Sequence, residues 1–206
     1  MNTLGEGGML SSNNKKFYDK AWSLRDCGKN LKSVLRIKKN YKFKWLHDYN
    51  GSNYRMTEIQ ATVGNSQLKK LKQWLKKRHK YANKISKILK NFDLVKLFPN
   101  KKNCTNAYYR FYIRINSKYL KKGWSIEKII RELNKKNIQC NYGACPAIYK
   151  EKIFKKKGYN LFLSNTELLQ NNTISFVLHP NFTKNFFTKL EKNLKNIFYK
   201  ESIKND

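Results

Sequence analysis

The chain has 206 residues, enough for one domain with a sizeable core or for parts of two. Its formal net charge of +32 points toward polyanions, yet seven of the 45 basic residues are Arg and the rest are Lys, so the guanidinium fork that clamps phosphates and reads base edges is scarce. No apolar run reaches the roughly 18 residues of a membrane span and Met1 is not followed by a signal peptide, so the expectation is a cytoplasmic protein with no membrane partner and no specific nucleic acid. Cys27, Cys104, Cys140 and Cys145 form no Cys-x-x-Cys pair. Cys140 and Cys145 with His179 lack a fourth zinc ligand, which predicts reduced thiols and no metal.

Taken in chain order, Gly5-Glu6-Gly7-Gly8 reads as a turn and residues 8–12 as a short strand closed by Asn13-Asn14. Lys15 and Lys16 read as solvated turn residues. Residues 15–33 predict a helix and a turn, with Phe17, Ala21 and Leu24 on one face and Gly28-Lys29-Asn30 ending it. Residues 34–48 mix Val34, Leu35, Ile37, Phe43, Trp45 and Leu46 with basic residues and show no clean period. His47 has no partner in sequence and is expected to pack rather than catalyse.

Asn50-Gly51-Ser52-Asn53 is a turn cluster, followed by Thr57 as helix N-cap and Glu58 in the first turn. Asn53 and Arg55 therefore stand at a loop-to-helix junction, where fixed polar groups can be aimed at an anion. The helix runs from Thr57 to about residue 91, with Leu68, Leu71, Leu75, Ala82, Ile85 and Leu89 on one stripe and a row of Lys opposite. That row reads as a solvated face, since neither aromatic nor Arg residues interleave it. Arg78 falls on the apolar seam and should find a buried or interfacial acceptor.

Beyond Phe98-Pro99-Asn100, residues 107–115 alternate, with Tyr109, Phe111, Ile113 and Ile115 on one face of a strand. Ser125 caps a helix carrying Ile126, Ile129, Ile130 and Leu133 that ends near Asn137. Residues 138–142 and 173–178 read as further strands and residues 183–199 as a last helix with Phe187, Leu190, Leu194 and Ile197 inward. Strands and helices alternating in this way describe a small α/β domain.

Several of these stretches are specific. Gly51-Ser52-Asn53-Tyr54-Arg55-Met56-Thr57-Glu58-Ile59-Gln60-Ala61, running on to Gly64 and Gln67-Leu68, resembles the signature of the DegT/DnrJ/StrS family of pyridoxal-phosphate (PLP) enzymes, mostly sugar aminotransferases. Thr62 and Asn65 are mild departures. Leu4-Gly5-Glu6-Gly7-Gly8-Met9, Arg25-Asp26-Cys27-Gly28 (with Cys27 for a usual His), Gly123-Trp124-Ser125, the segment from Gly143 to Tyr149 and Val177-Leu178-His179-Pro180 are similar to other parts of the family. The likeness spans nearly all of residues 1–200.

The resemblance implies the α/β aspartate-aminotransferase architecture (PLP fold type I), and of it the C-terminal part. Residues 1–56 would be a remnant of the large cofactor domain with its active-site loop, residues 57–91 a long interdomain helix, and residues 92–206 the small C-terminal α/β domain. It also implies that Asn53 reaches across a dimer interface to the PLP phosphate of the other subunit. Arg55 would contact a substrate anion or steady the same loop through a salt bridge, and Tyr149 occupies a position where relatives often contact the sugar.

In the family the lysine that forms the Schiff base with PLP stands just before the Gly5-Glu6-Gly7-Gly8 segment, which places it upstream of Met1. The expectation is therefore a truncated or split member with no catalytic residue of its own, inactive alone, paired as a homodimer or with a separately encoded N-terminal half. The implied reaction is transfer of an amino group, commonly from glutamate, to a nucleotide-linked keto sugar in amino-sugar biosynthesis for cell-surface polysaccharide. A sugar dehydratase of the same family is one alternative, and a non-catalytic, basic polyanion-binding protein is another.

Overall fold

The computed structural model describes residues 4–36, 46–100, 102–143, 147–157 and 161–201, with side chains to Phe198. Ile37, Phe43, Trp45 and Cys145, named above, lie outside these residues. The chain forms two compact units, one up to Leu71 and one from Lys72 onward, and the division falls inside a single helix.

In the first unit, helix α1 (Lys15–Arg25) starts directly after Asn14, whose side chain accepts from Phe17 N–H. Lys15 and Lys16 are thus helical, not turn residues. Residues 8–12 form no strand, since no second strand lies among the described residues of this unit to pair with them. Phe17 is 50% exposed and Leu24 also faces solvent, so the apolar face they share with Ala21 is open here. The short helix α2 (Leu31–Arg36) follows, begun by Asn30, whose Oδ1 accepts from Ser33 N–H at 2.9 Å. His47 forms an antiparallel bridge with Lys29 and is exposed, so its role is backbone pairing and not the packing expected of it.

Helix α3 (Glu58–Leu89) has the expected N-cap: Thr57 Oγ1 accepts from Gln60 N–H at 3.3 Å, and Gln60 Oε1 accepts from Thr57 N–H at 3.1 Å. This reciprocal pair satisfies two of the free donors of a helix start. Gln60 Nε2 also donates to the Glu6 carbonyl at 3.0 Å, tying the segment near the N-terminus to the helix's first turn. The stripe is buried at Ala82, Ile85 and Leu89, all within the second unit, whereas Leu68 is 57% exposed.

The second unit is a four-stranded antiparallel sheet of order β1 (Val95–Leu97), β2 (Arg110–Ile115), β4 (Thr173–Val177), β3 (Cys140–Tyr142). Around it lie α4 (Ile126–Lys135), α5 (Lys152–Lys156), α6 (Ser164–Asn172) and α7 (Lys184–Glu201). Phe111 pairs with Phe176 and Ile113 with Ile174 across β2 and β4, putting large apolar side chains opposite one another at the sheet's centre. Ile129 and Leu133 from α4 and Leu190, Leu194 and Phe198 from α7 complete the core. Ser125 caps α4 by accepting from Lys128 N–H, as its position predicts.

Two expectations for this unit need correction. Tyr108 takes φ of 44°, which interrupts the alternation before β2 begins; Tyr108 is buried and Tyr109, expected inward, is 60% exposed. Arg78 is buried, but its Nε and Nη1 have no hydrogen-bond partner among the described residues, so the expected acceptor is not found there. Burial lowers its pKa from the ordinary guanidinium value, with Tyr109 opposing that change.

Candidate functional site

The loop-to-helix junction of the first unit is built on the C-terminus of α1. That helix ends at Arg25, with Cys27 (φ 56°) and Gly28 (φ 82°) in left-handed conformations and Gly28 N–H returning to the Ser23 carbonyl at 2.7 Å. This is the hydrogen bond that closes a helix through a left-handed turn, with Cys27 at the position usually held by Gly. The peptide groups freed at the helix end are then taken up by the loop before α3. Cys27 N–H donates to the Ser52 carbonyl at 3.1 Å, Ser52 N–H to the Leu24 carbonyl at 3.0 Å, and Tyr54 N–H to the Arg25 carbonyl at 2.9 Å.

Two glycines make that close approach possible. A Cβ on Gly28 would overlap the Tyr49 carbonyl, and a Cβ on Gly51 would overlap the Gly28 amide. The two backbones therefore touch where side chains of any size are excluded.

Asp26 lies at the centre of this pairing, opposite Asn53 in an antiparallel bridge and 3% exposed. Its Oδ2 accepts from Arg55 Nη2 and its Oδ1 from Lys29 Nζ at 3.2 Å. Burial pushes the Asp26 carboxyl's pKa up, while the hydrogen bonds and charges of Arg55 and Lys29 pull it down; the cations prevail and hold it below the usual carboxylate range. A buried carboxylate is thus kept ionised by two partners that share its two oxygens.

Asn53 is exposed, and its Oδ1 accepts from Arg55 N–H at 3.3 Å. This local turn leaves the two Nδ2–H donors without a partner among the described residues. Arg55 spends one nitrogen on Asp26 while about half of its side chain stays exposed. Uncharged amide donors, next to a guanidinium and just before the positive end of α3, suit a phosphate dianion. The residues present here therefore fit the phosphate end of PLP. No group of three or more His, Cys, Asp or Glu among the described residues is arranged to hold a metal. Cys140 is buried, which pushes its thiol up to about 12 and disfavours a thiolate ligand.

Tyr149 belongs to the second unit. Its hydroxyl donates to Glu167 Oε1 on α6 and accepts from Leu163 N–H at 3.3 Å, so both of its polar capacities are engaged. Lys150 Nζ and Gln170 Nε2 each reach Glu167 Oε2 at 2.6 Å, and Gln170 Oε1 accepts from Ala147 N–H at 3.0 Å. The hydrogen bond to Glu167 raises the phenol's pKa, and those from Lys150 and then Tyr149 lower that of Glu167. Asn53 and Arg55 are thus brought together on one loop, while Tyr149 is seated in a separate carboxylate cluster.

Asp26 and Glu167 are the two residues that sequence reasoning left without a role. For Asp26 a signal existed in the Arg25-Asp26-Cys27-Gly28 motif, but nothing in the sequence placed it beside Arg55. For Glu167 the sequence carried no signal.

The two units define an α/β chain of the PLP-dependent aminotransferase fold. Its structure superposes with a TM-score of 0.82 on an aminotransferase from Psychrobacter cryohalolentis, at 28% identity over 92% of this chain and 51% of that one. The sequence profile of the DegT/DnrJ/EryC1/StrS aminotransferase family matches residues 1–194, and the chain belongs to that family. An uncharacterized protein of Methanocaldococcus jannaschii is 29% identical over 185 residues, which cover 88% of this chain and 47% of that protein. GDP-perosamine synthase of Escherichia coli O157:H7 is 31% identical over 107 residues, 52% of this chain and 26% of the synthase. The chain spans about half the length, or less, of the relatives it matches.

Proposed function

We propose that residues 1–206 form part of a PLP-dependent aminotransferase that acts on a nucleotide-linked keto sugar, with glutamate as a typical amino donor. The activity is proposed for the whole protein, acting as a dimer in the cytoplasm and supplying amino sugars for cell-surface polysaccharide. The observation that carries this reading is the Asn53 carboxamide, exposed in the loop before α3 with its donors unpartnered among the described residues, inside a family match that covers residues 1–194. The relation to GDP-perosamine synthase supports a nucleotide-linked sugar as substrate class.

Bound PLP supplies the electron sink through which an amino group passes from donor to keto carbon. The task of this chain's residues is to hold and orient. Asn53 would hold the cofactor phosphate of the neighbouring subunit through its amide donors, which adds no charge to the site. Arg55 keeps N–H groups available for an anionic part of the substrate, because Asp26 engages one side of its fork. Tyr149 offers ring surface to the sugar, its hydroxyl being committed to Glu167 and Leu163.

The test is an incubation of the full-length protein with PLP, glutamate and a panel of nucleotide-linked keto sugars. The expected result is an amino sugar, seen by mass spectrometry, and 2-oxoglutarate in equal amount. Loss of the sugar hydroxyl beside the carbonyl, with no nitrogen gained, would replace this reading with the dehydratase. No sugar product at all, with salt-sensitive retention of RNA or DNA, would replace it with the basic binding protein.

A further inference from the structure

We infer that Asp26 is the positioning residue of the phosphate arm, fixing the direction in which the Asn53 carboxamide points. The inference rests on the assignment of Asn53 to the cofactor phosphate and adds a residue to which no role has been given.

A loop before a helix has many conformations open to it, and four kinds of contact, two made by Asp26 and two by its neighbours in the chain, remove them. Its backbone bridges that of Asn53, so the two residues face each other across a one-step ladder. The neighbouring peptides on both sides, those of Cys27 with Ser52 and of Arg25 with Tyr54, extend the ladder. Gly28 and Gly51 let the strands of this pairing close to backbone contact. The carboxylate then reaches Arg55, two residues beyond Asn53, and Arg55 in turn donates its backbone N–H to Asn53 Oδ1. That last bond decides which end of the carboxamide faces outward: with Oδ1 turned back on the chain, the donors are presented.

Lys29 completes the arrangement from the other side of the turn. With one cation on each oxygen, the carboxylate cannot rotate toward Lys29 alone without leaving Arg55 half-buried and unpaired. Without Asp26, Arg55 has no acceptor at that position and the loop's turn loses its anchor. The chemistry predicted is specific: loss of Asp26 should be felt at the phosphate of the cofactor and not at its ring.

The experiment compares affinities of the full-length dimer for PLP and for pyridoxal, which lacks the phosphate, by absorbance or fluorescence titration. Asn53→Ala is expected to weaken PLP about tenfold or more, as removal of a hydrogen bond to a charged group does, and to leave pyridoxal unchanged. Asp26→Asn should follow it in the same direction, again with pyridoxal unchanged. The double variant should bind PLP no worse than Asn53→Ala alone, since Asp26 acts through Asn53.

Asp26→Asn with wild-type PLP affinity, with additive losses, or with equal losses for PLP and pyridoxal would overturn the inference while leaving the phosphate arm intact. An Asn53→Ala variant that binds PLP as the wild type does would overturn the phosphate arm and the inference together. Where Asp26→Asn does not fold, Arg55→Lys keeps the charge, removes the fork and is read by the same criteria.

Discussion

At the scale of single residues, the glycines show how one hydrogen atom in place of a methyl group can decide a local structure. Gly28 combines a positive φ with direct contact against the Tyr49 carbonyl, whereas Gly123 has a similar φ of 83° and open space around it. Gly123→Ala should therefore cost about 1 kcal/mol, the penalty of the left-handed conformation. Gly28→Ala must in addition push the loop at residues 49–51 off the end of α1, and should cost about 3 kcal/mol. Chemical denaturation of the two variants checks the difference, and equal losses would mean that the loop yields without cost. Both glycines were legible as turn residues in the sequence. Their unequal importance was not, because it depends on a carbonyl more than 20 positions away.

At the scale of elements, α3 shows local signals and long-range ones side by side. The Thr57–Gln60 pair is a local device, four residues long; Thr57 is the N-cap that the sequence predicts, and the return bond through Gln60 is seen only in the structure. Thr57→Ala should destabilise the start of α3 by about 1 kcal/mol, seen as faster amide exchange in its first turn with little change at Ile85 or Leu89. Uniform acceleration along the helix would show that the cap sets its global stability instead. Farther along, the apolar stripe runs from Leu68 to Leu89 with Arg78 as its one charged position, yet it is buried only from Ala82 onward together with Arg78. Periodicity reports that a face is apolar and does not report what covers it. The strand at β2 carries a similar lesson. Phe111, Ile113 and Ile115 alternate inward, but a left-handed Tyr108 resets the register before them and sends Tyr109 to solvent.

At the scale of the whole molecule, cohesion is uneven. The second unit has a continuous core from α3 through the sheet to α7, in which Phe176 and Phe198 are almost fully buried. Phe176→Ala should cost that unit about 4 kcal/mol, while Leu68→Ala should stay within about 0.5 kcal/mol in the chain of residues 1–206. Thermal unfolding followed by near-ultraviolet circular dichroism separates the two. The first unit instead carries exposed apolar side chains at Met9, Phe17, Tyr54, Ile59 and Val63, and its order rests on backbone pairing and on the Asp26 cluster. Among the described residues no helix is long and apolar enough to cross a membrane.

What the sequence determined by itself was whatever is encoded over a few neighbouring residues: the helix caps at Thr57 and Ser125, the amphipathic faces of α4 and α7, and the motif that marks the family. These depend on steric and hydrogen-bonding preferences within one or two turns of chain, so they survive being read without coordinates. Only the tertiary structure decided that Asp26 meets Arg55, that Tyr149 is held by Glu167, and that strand β1 takes the edge beside β2. Each of those contacts joins residues whose separation in sequence carries no information about their separation in space. In the Asp26 cluster, the buried charge has a neighbour in sequence, Lys29, as one partner, and backbone pairing brings the second, Arg55, to it.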